Sequence, residues 1–99
     1  SIYPLEIESV IYNHPDVLEA AVIGVPDPQW GEALKAVIVL KPGAKLQGTE
    51  LLSFCKERLS AYKTPKSVQF RDSLPHTEVG KVNKVKLKEI ILAEAVQSV

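Results

Sequence analysis

Residues 17–40 read VLEAAVIGVPDPQWGEALKAVIVL, and this stretch sets the architecture of the chain. Its two ends, Val17 to Val25 and Ala33 to Leu40, are nearly continuous runs of apolar residues, many of them β-branched, which is typical of buried strands. Between them, Pro26 to Gly31 contains two prolines and a glycine, which indicates a loop longer than a tight hairpin turn. The stretch therefore predicts two buried strands that fold against each other as a hairpin.

Helical patterns flank this hairpin on both sides. Pro4 is a good first helical residue, and the apolar stripe that follows it stops at Asn13. Downstream, Thr49 is expected to cap a helix that runs to about Ser60, with Cys55 packed on its apolar side. Both helices are amphipathic, so each is expected to lay one face on the sheet.

A third strand and a final helix complete the pattern. Ser67 to Arg71 alternates in polarity, which predicts a strand. Residues 72–82 are expected to form a loop, and helical spacing continues from Lys84 to Val96. The order helix, strand, strand, helix, strand, helix predicts an α+β domain with a hairpin, a right-handed crossover and a small three-stranded mixed sheet covered by helices.

The composition is that of one globular domain. The chain has 99 residues, of which 45% are hydrophobic and 24% charged, and no apolar run approaches the roughly 18 residues of a membrane span. A single cysteine, Cys55, cannot form an internal disulfide, and the N-terminus does not resemble a signal peptide. Membrane insertion is therefore not expected, and a reducing, cytoplasmic setting is favoured.

Charge is balanced overall but unevenly distributed. Twelve basic and twelve acidic side chains give zero net charge, which argues against nucleic-acid binding through bulk basicity. Residues 1–55 hold three basic and seven acidic side chains, whereas residues 56–99 hold nine and five. The basic half suits a polyphosphate or an acidic partner surface, and scattered lysines on solvated faces are the alternative explanation.

A self-contained catalytic set is not found in the sequence. There are no paired histidines or cysteines at metal-binding spacing, no Gly-x-Ser-x-Gly motif and no phosphate-binding glycine loop. His14 and His76 have no acid or nucleophile beside them in sequence, so both are interpreted as surface histidines. No metal site is predicted, and any enzymatic reaction must use groups from outside this chain.

The segment LPHTEVGKV at residues 74–82 is the main candidate for chemistry. Gly80 permits a backbone conformation that other residues avoid, so the chain can turn sharply and project Lys81 toward a partner surface. A protonated amine can neutralise negative charge that develops on a carboxylate and a phosphate during phosphoryl-type transfer. A solvated lysine without a role is the alternative.

Five motifs occur in order across nearly the whole chain. They are IYPLEIE at residues 2–8, HPDV and AVIGVPD between residues 14 and 27, WGE at 30–32, YKTPK at 62–66, and LP with GK between 74 and 81. Together they closely resemble the C-terminal domain of AMP-forming acyl-CoA synthetases, a superfamily that includes luciferases and the adenylation domains of peptide synthetases.

The resemblance implies the lid of a two-domain ligase. In that family a large N-terminal domain binds ATP and the carboxylic acid, and a C-terminal lid of about this size swings between two half-reactions. The first joins the carboxylate to the α-phosphate of ATP, and the family lysine at the position of Lys81 contacts the carboxylate and phosphate oxygens. In the second, the thiol of coenzyme A displaces AMP and forms the thioester.

The same resemblance assigns coenzyme A contacts to Trp30, Tyr62, Lys63 and Lys66. An aromatic ring can stack on adenine, and lysines can neutralise the 3′-phosphate and the pyrophosphate. Thr64 departs from family members that carry a basic residue at this point, which argues against a phosphate contact there. In the alternative, Trp30 only anchors its loop and Tyr62 caps the second helix.

Residues 1–99 are accordingly expected to be a single C-terminal lid domain and a fragment of a longer enzyme. The family's hinge residue and glycine pair would lie upstream of Ser1, and the acid pocket and Mg²⁺ ligands would belong to the missing N-terminal domain. The expected function is activation of a fatty or aryl acid with ATP and its transfer to coenzyme A, without activity in this fragment alone. Two alternatives remain, part of an adenylation module that loads a carrier protein and a non-catalytic α+β interaction module.

Overall fold

Helices and strands follow one another along the chain in the predicted order. The structure is a computed structural model that describes the backbone of residues 2–97 and the side chains of residues 4–97. Its elements are α1 (Ile2–Ile11), β1 (Val17–Asp27), β2 (Gly31–Leu40), α2 (Gly48–Arg58), a 3₁₀ helix (Ala61–Lys63), β3 (Ser67–Phe70) and α3 (Lys84–Gln97). The predicted α+β fold class is confirmed, and the ends of α1, β3 and α3 agree with the prediction to within two residues.

The strands form one sheet in the order β1-β2-β3. β1 and β2 pair antiparallel as a hairpin, with Val22 opposite Ala36. β2 and β3 pair parallel, with Ala36 opposite Val68. Two parallel strands need a crossover between them, and α2 lies within it. The predicted mixed sheet is thereby confirmed.

Helices cover both faces of this sheet, which explains why β1 and β2 are apolar almost without interruption. On one face, α1 and α2 pack through buried side chains such as Ile7 and Leu51. On the other face, α3 packs through Leu87 and Ile91. Cys55 is fully buried in the first of these two cores, as its position on α2 predicted.

The connection between β1 and β2 is shorter than predicted. The loop expected over residues 26–31 is wrong, because the strands continue to Asp27 and Gly31, which pair with each other. An oxygen of Asp27 accepts the backbone N–H groups of Gln29 at 2.8 Å and Trp30 at 2.9 Å, and Gly31 completes the turn with φ of +79°. The proline within β1 is tolerated because β1 is an edge strand.

The N-cap of α2 also differs from the prediction. Gln47, rather than Thr49, occupies the N-cap position. A carboxylate oxygen of Glu50 accepts the backbone N–H of Gln47 at 2.8 Å, which is one half of a capping box. The helix ends at Arg58, two residues before the expected Ser60.

Candidate functional site

Residues 76–82 form a small hairpin between β3 and α3, which we call the lysine hairpin. The N–H of Thr77 donates to the carbonyl oxygen of Lys81 at 2.7 Å, and the N–H of Gly80 donates to that of Thr77 at 2.9 Å. Gly80 has φ of +88°, which side-chain-bearing residues rarely adopt, and a β-bridge joins the first and last residues of the hairpin. This is the pattern of a tight turn closed by a glycine bulge. Part of the predicted loop is therefore an ordered hairpin.

Lys81 lies at the end of this turn with its side chain exposed. Within residues 4–97 no ion pair or side-chain hydrogen bond ties it to another residue. Val79, beside it at the tip, is 82% exposed. Leu74 is 4% exposed and packs in the core under α3, so the chain enters the hairpin from a buried anchor. The lysine hairpin therefore projects its amine away from the domain.

A second group of candidate residues faces a shallow cavity, which we call the aromatic cavity. It has a volume of about 450 Å³ and is lined by Trp30, Glu32, Ala33, Leu34, Tyr62, Thr64 and Lys66. Trp30 and Tyr62 are 63% and 70% exposed. The Nζ atom of Lys66 lies 5.6 Å from the ring centroid of Trp30, within cation–π range. Two exposed aromatic rings, an ammonium group and the carboxylate of Glu32 thus border one open space, which suits a planar ligand.

Local structure places these three side chains. Trp30 stands in the β1–β2 turn, and the backbone N–H of Lys66 donates to the start of β2 at 2.9 Å. Tyr62 is held out by the 3₁₀ helix, which the sequence did not predict. The suggestion that Tyr62 caps α2 is wrong, because the C-cap of that helix is Leu59.

The side chains of Lys63 and Thr64 make contacts within the domain. The Nζ atom of Lys63 lies 3.0 Å from both carboxylate oxygens of Glu6 on α1, and it does not line the aromatic cavity. Thr64 is 6% exposed, and its hydroxyl donates to the carbonyl oxygen of Ser60 at 3.3 Å. The structure therefore brings together three of the four residues predicted to contact coenzyme A, whereas the ammonium group of the fourth, Lys63, is bound by Glu6 and lies 5.7 Å from the ring centroid of Tyr62.

His76 is a surface histidine, as interpreted, but it has an acidic partner that the sequence did not reveal. Its Nε2 atom lies 2.5 Å from Oε2 of Glu19 on β1. The two residues are 57 positions apart in sequence, so no local pattern could have paired them. The pair lies at the base of the lysine hairpin.

The lysine hairpin and the aromatic cavity lie at opposite ends of the sheet. The hairpin contacts β1 at Glu19, which is level with Val39 of β2, whereas the cavity is lined by Glu32 near the start of β2. The seven residue-to-residue steps from Glu32 to Val39 span about 23 Å at the usual rise of a strand. The whole domain measures 33 × 32 × 26 Å. The two regions therefore lie on separate parts of the domain surface.

These features define a class of protein, a small α+β domain with exposed polar and aromatic groups at two places on its surface. Within residues 2–97, no helix combines the length and the apolarity needed to cross a membrane. The same residues contain no group of three His, Cys, Asp or Glu side chains that could hold a metal ion. The described part of the chain has an exposed amine at Lys81 and an exposed aromatic cavity.

Comparison with known proteins identifies the family. Residues 6–81 match the family model for the AMP-binding enzyme C-terminal domain, and the chain belongs to this family. A feruloyl-CoA synthase from Amycolatopsis sp. is 52% identical over 84 residues, which cover 85% of this chain and 17% of that protein. A long-chain-fatty-acid–CoA ligase from Bacillus subtilis is 47% identical over 89 residues, covering 90% and 16%.

Solved structures agree with these sequence relationships. The Mycobacterium tuberculosis fatty acyl CoA synthetase superposes with a TM-score of 0.85 and 41% identity, covering 92% of this chain and 18% of that protein. The chain thus spans less than a fifth of the length of the relatives it matches. The family resemblance carried by the five motifs is confirmed.

Proposed function

We propose that this chain is the C-terminal lid of an AMP-forming acyl-CoA ligase and works with an N-terminal domain that binds ATP, Mg²⁺ and a carboxylic acid. The observation that carries the proposal is that the lysine hairpin adjoins one end of the β1–β2 pair and the aromatic cavity adjoins the other, with about 23 Å of strand between Glu32 and Val39. A two-step ligase needs one of these groups in each step. A rotation of the rigid lid can bring each end in turn to the same reaction centre.

In the first step, a carboxylate oxygen of the acid attacks the α-phosphorus of ATP, and the bond to pyrophosphate breaks. Negative charge shifts among the oxygens around phosphorus as the acyl adenylate forms. Lys81 is the residue proposed to offset that charge, because its amine is exposed on a turn that Gly80 holds at φ of +88°. The role is electrostatic and positional, which is how most catalysis of phosphoryl-type transfer operates.

In the second step, the thiol of coenzyme A loses its proton, its sulfur attacks the acyl carbon, and AMP leaves. The nucleotide end of coenzyme A would occupy the aromatic cavity. Trp30 and Tyr62 offer stacking surfaces for adenine, and Lys66 offers a charge for a phosphate group. Lys63 is a weaker candidate for a phosphate contact, because Glu6 already holds its ammonium group.

The names of the relatives support the substrate class. One matched protein is a feruloyl-CoA synthase and another a long-chain-fatty-acid–CoA ligase, so we propose an aryl or fatty acid as substrate. A reducing, cytoplasmic compartment fits the free, fully buried thiol of Cys55.

Substitution of Lys81 in the full-length protein tests the first step. Lys81→Ala is expected to lower adenylate formation, measured as pyrophosphate release, by about 10²–10³-fold, the loss typical of removing one preorganised electrostatic group. Thioester formation from supplied acyl adenylate should be nearly preserved. Lys86→Ala removes another exposed lysine, on α3, and should change neither step. Equal losses in both steps for Lys81→Ala would contradict the proposal.

Substitutions in the aromatic cavity test the acceptor. Trp30→Ala and Lys66→Ala should each raise the KM for coenzyme A by about tenfold, and adenylate formation should stay unchanged. With dephospho-coenzyme A, which lacks the 3′-phosphate, Lys66→Ala should lose its effect if Lys66 binds that phosphate. A carrier protein brings only a pantetheine arm, so unchanged thioester formation in both variants would favour a carrier as acceptor.

The isolated chain provides a further test. Mixed with ATP, fatty acid and coenzyme A, it should release no AMP above background, because it lacks the proposed acid and nucleotide sites. If Lys81→Ala also left the full-length protein fully active, a non-catalytic interaction module would be the better description.

A further inference from the structure

The lysine hairpin is attached to the sheet by one side-chain hydrogen bond. Within residues 4–97, the pair of His76 and Glu19 is the only side-chain hydrogen bond or ion pair between this hairpin and the rest of the domain. Nε2 of His76 and Oε2 of Glu19 are 2.5 Å apart, and the two side chains are 38% and 27% exposed. A hydrogen bond between an imidazole and a carboxylate fixes the direction of both side chains.

The fold aims Glu19 at the hairpin through an irregularity in β1. The pairing of β1 with β2 shifts register between Val17 and Glu19, as in a β-bulge. Bulges redirect the side chain beside them, and they occur often next to functional sites. Ala21 and Ile23, further along the strand, enter the core under α3, which also contains Leu74 at the entrance to the hairpin. Glu19 thus stands on the sheet face from which the hairpin rises.

His76 is well placed to control the direction of Lys81. It precedes Thr77, whose N–H donates to the carbonyl oxygen of Lys81. Residues 77–81 are all exposed to solvent. Val82, packed against the α3 core, fixes the second strand of the hairpin. The bond to Glu19 fixes the first strand, which begins at His76.

We propose that His76 and Glu19 form a positioning pair that holds the lysine hairpin in the direction from which Lys81 reaches the reacting carboxylate and phosphate. This inference rests on the proposed role of Lys81 in adenylate formation. Neither residue touches substrate. The pair acts through the direction of the hairpin, and a misplacement of about 1 Å at a catalytic group can cost 10²-fold in rate.

Variants of the full-length protein test the pair. His76→Ala and Glu19→Ala should each lower kcat for adenylate formation by about tenfold with little change in the KM for ATP. Thioester formation from supplied acyl adenylate should be unchanged. His76→Gln keeps an N–H donor at similar reach and should recover most of the lost rate. Arg71→Gln breaks another partly exposed ion pair, with Glu94 of α3, and should leave adenylate formation unchanged.

Combination with Lys81→Ala separates positioning from general destabilisation. If His76 acts through Lys81, then His76→Ala should cause no further loss when Lys81 is already absent. Losses that multiply, or losses shared by both half-reactions, would overturn the inference, and so would full adenylate formation in His76→Ala and Glu19→Ala. If Lys81→Ala alone leaves adenylate formation intact, the proposed function itself fails, whereas a strong Lys81 effect with inert His76 and Glu19 variants refutes only the pair.

Discussion

Replacement of Gly80 by alanine isolates the conformation of the lysine hairpin from its chemistry. Gly80 has φ of +88°, and a Cβ atom added there would meet nothing within 4 Å. The penalty is therefore backbone strain alone, about 1–2 kcal/mol for a side-chain-bearing residue in this region. The two backbone hydrogen bonds of the turn contribute about 0.5–1.5 kcal/mol each, which is comparable with the strain. The turn in Gly80→Ala should therefore open rather than the whole domain unfold.

The size of the effect follows from that comparison. A strain of 1–2 kcal/mol lowers the equilibrium constant between the closed and the open turn by about 5–30-fold. Adenylate formation in the full-length protein should fall by at most that factor, and thioester formation from supplied adenylate should not change. The melting temperature of the chain should fall by no more than about 4–8 °C per kcal/mol of strain.

Gly43 provides a matched control. It has φ of +82°, and a Cβ atom added there would also meet nothing within 4 Å. It lies between β2 and α2, outside the lysine hairpin. Gly43→Ala should carry similar backbone strain and leave adenylate formation intact. Equal adenylate formation in both variants, measured by pyrophosphate release, would refute the link between the Gly80 turn and Lys81.

Three predictions concern the domain itself. Burial raises the pKa of the Cys55 thiol above its usual 9.0. The folded chain should therefore resist alkylation at pH 8 until it is unfolded with urea, and its stability should fall as the pH rises above 9.0. The hydrogen bond from Arg71 lowers the pKa of Glu94 below its usual 4.5. The stability that this bond contributes above pH 4.5 is lost as the pH falls through the lowered pKa, so the stability of Glu94→Gln should fall less on acid titration. Glu50→Ala removes the carboxylate that binds the N–H of Gln47 and should cost about 0.5–1 kcal/mol in urea unfolding, whereas an unchanged midpoint would show that the cap is idle.

Short-range patterns in the sequence were sufficient to predict the sheet and its helices. β1 and β2 lie between two cores, so nearly every side chain is apolar and the strand signal is strong. The same reasoning overestimates the length of the loop around Pro26, because proline usually ends a strand. An edge strand loses no ladder hydrogen bond at proline, and Asp27 completes the turn with its own side chain.

Contacts between distant residues were beyond prediction from the pattern. Glu19 with His76, and Glu6 with Lys63, are each separated by 57 positions. The YKTPK motif therefore indicated that a basic residue belongs at position 63 but not that its ammonium group faces α1. Only the fold shows that Lys66, rather than Lys63, shares the aromatic cavity with Trp30.

The stiffness of the sheet determines what kind of motion the proposed reaction requires. β1 and β2 are joined along their whole length and packed on both faces. Bending these two strands enough to bring their ends, about 23 Å apart, together would expose both cores to water. Lys81 and the aromatic cavity can reach one reaction centre in succession only if the domain rotates as a body. The pivot of that rotation must then lie outside the sheet. A domain that rotates as a body also needs a fixed direction for Lys81, which is the role proposed for the pair of His76 and Glu19. If the lysine hairpin could change its direction on a rotating lid, Lys81 would reach a different position after each rotation.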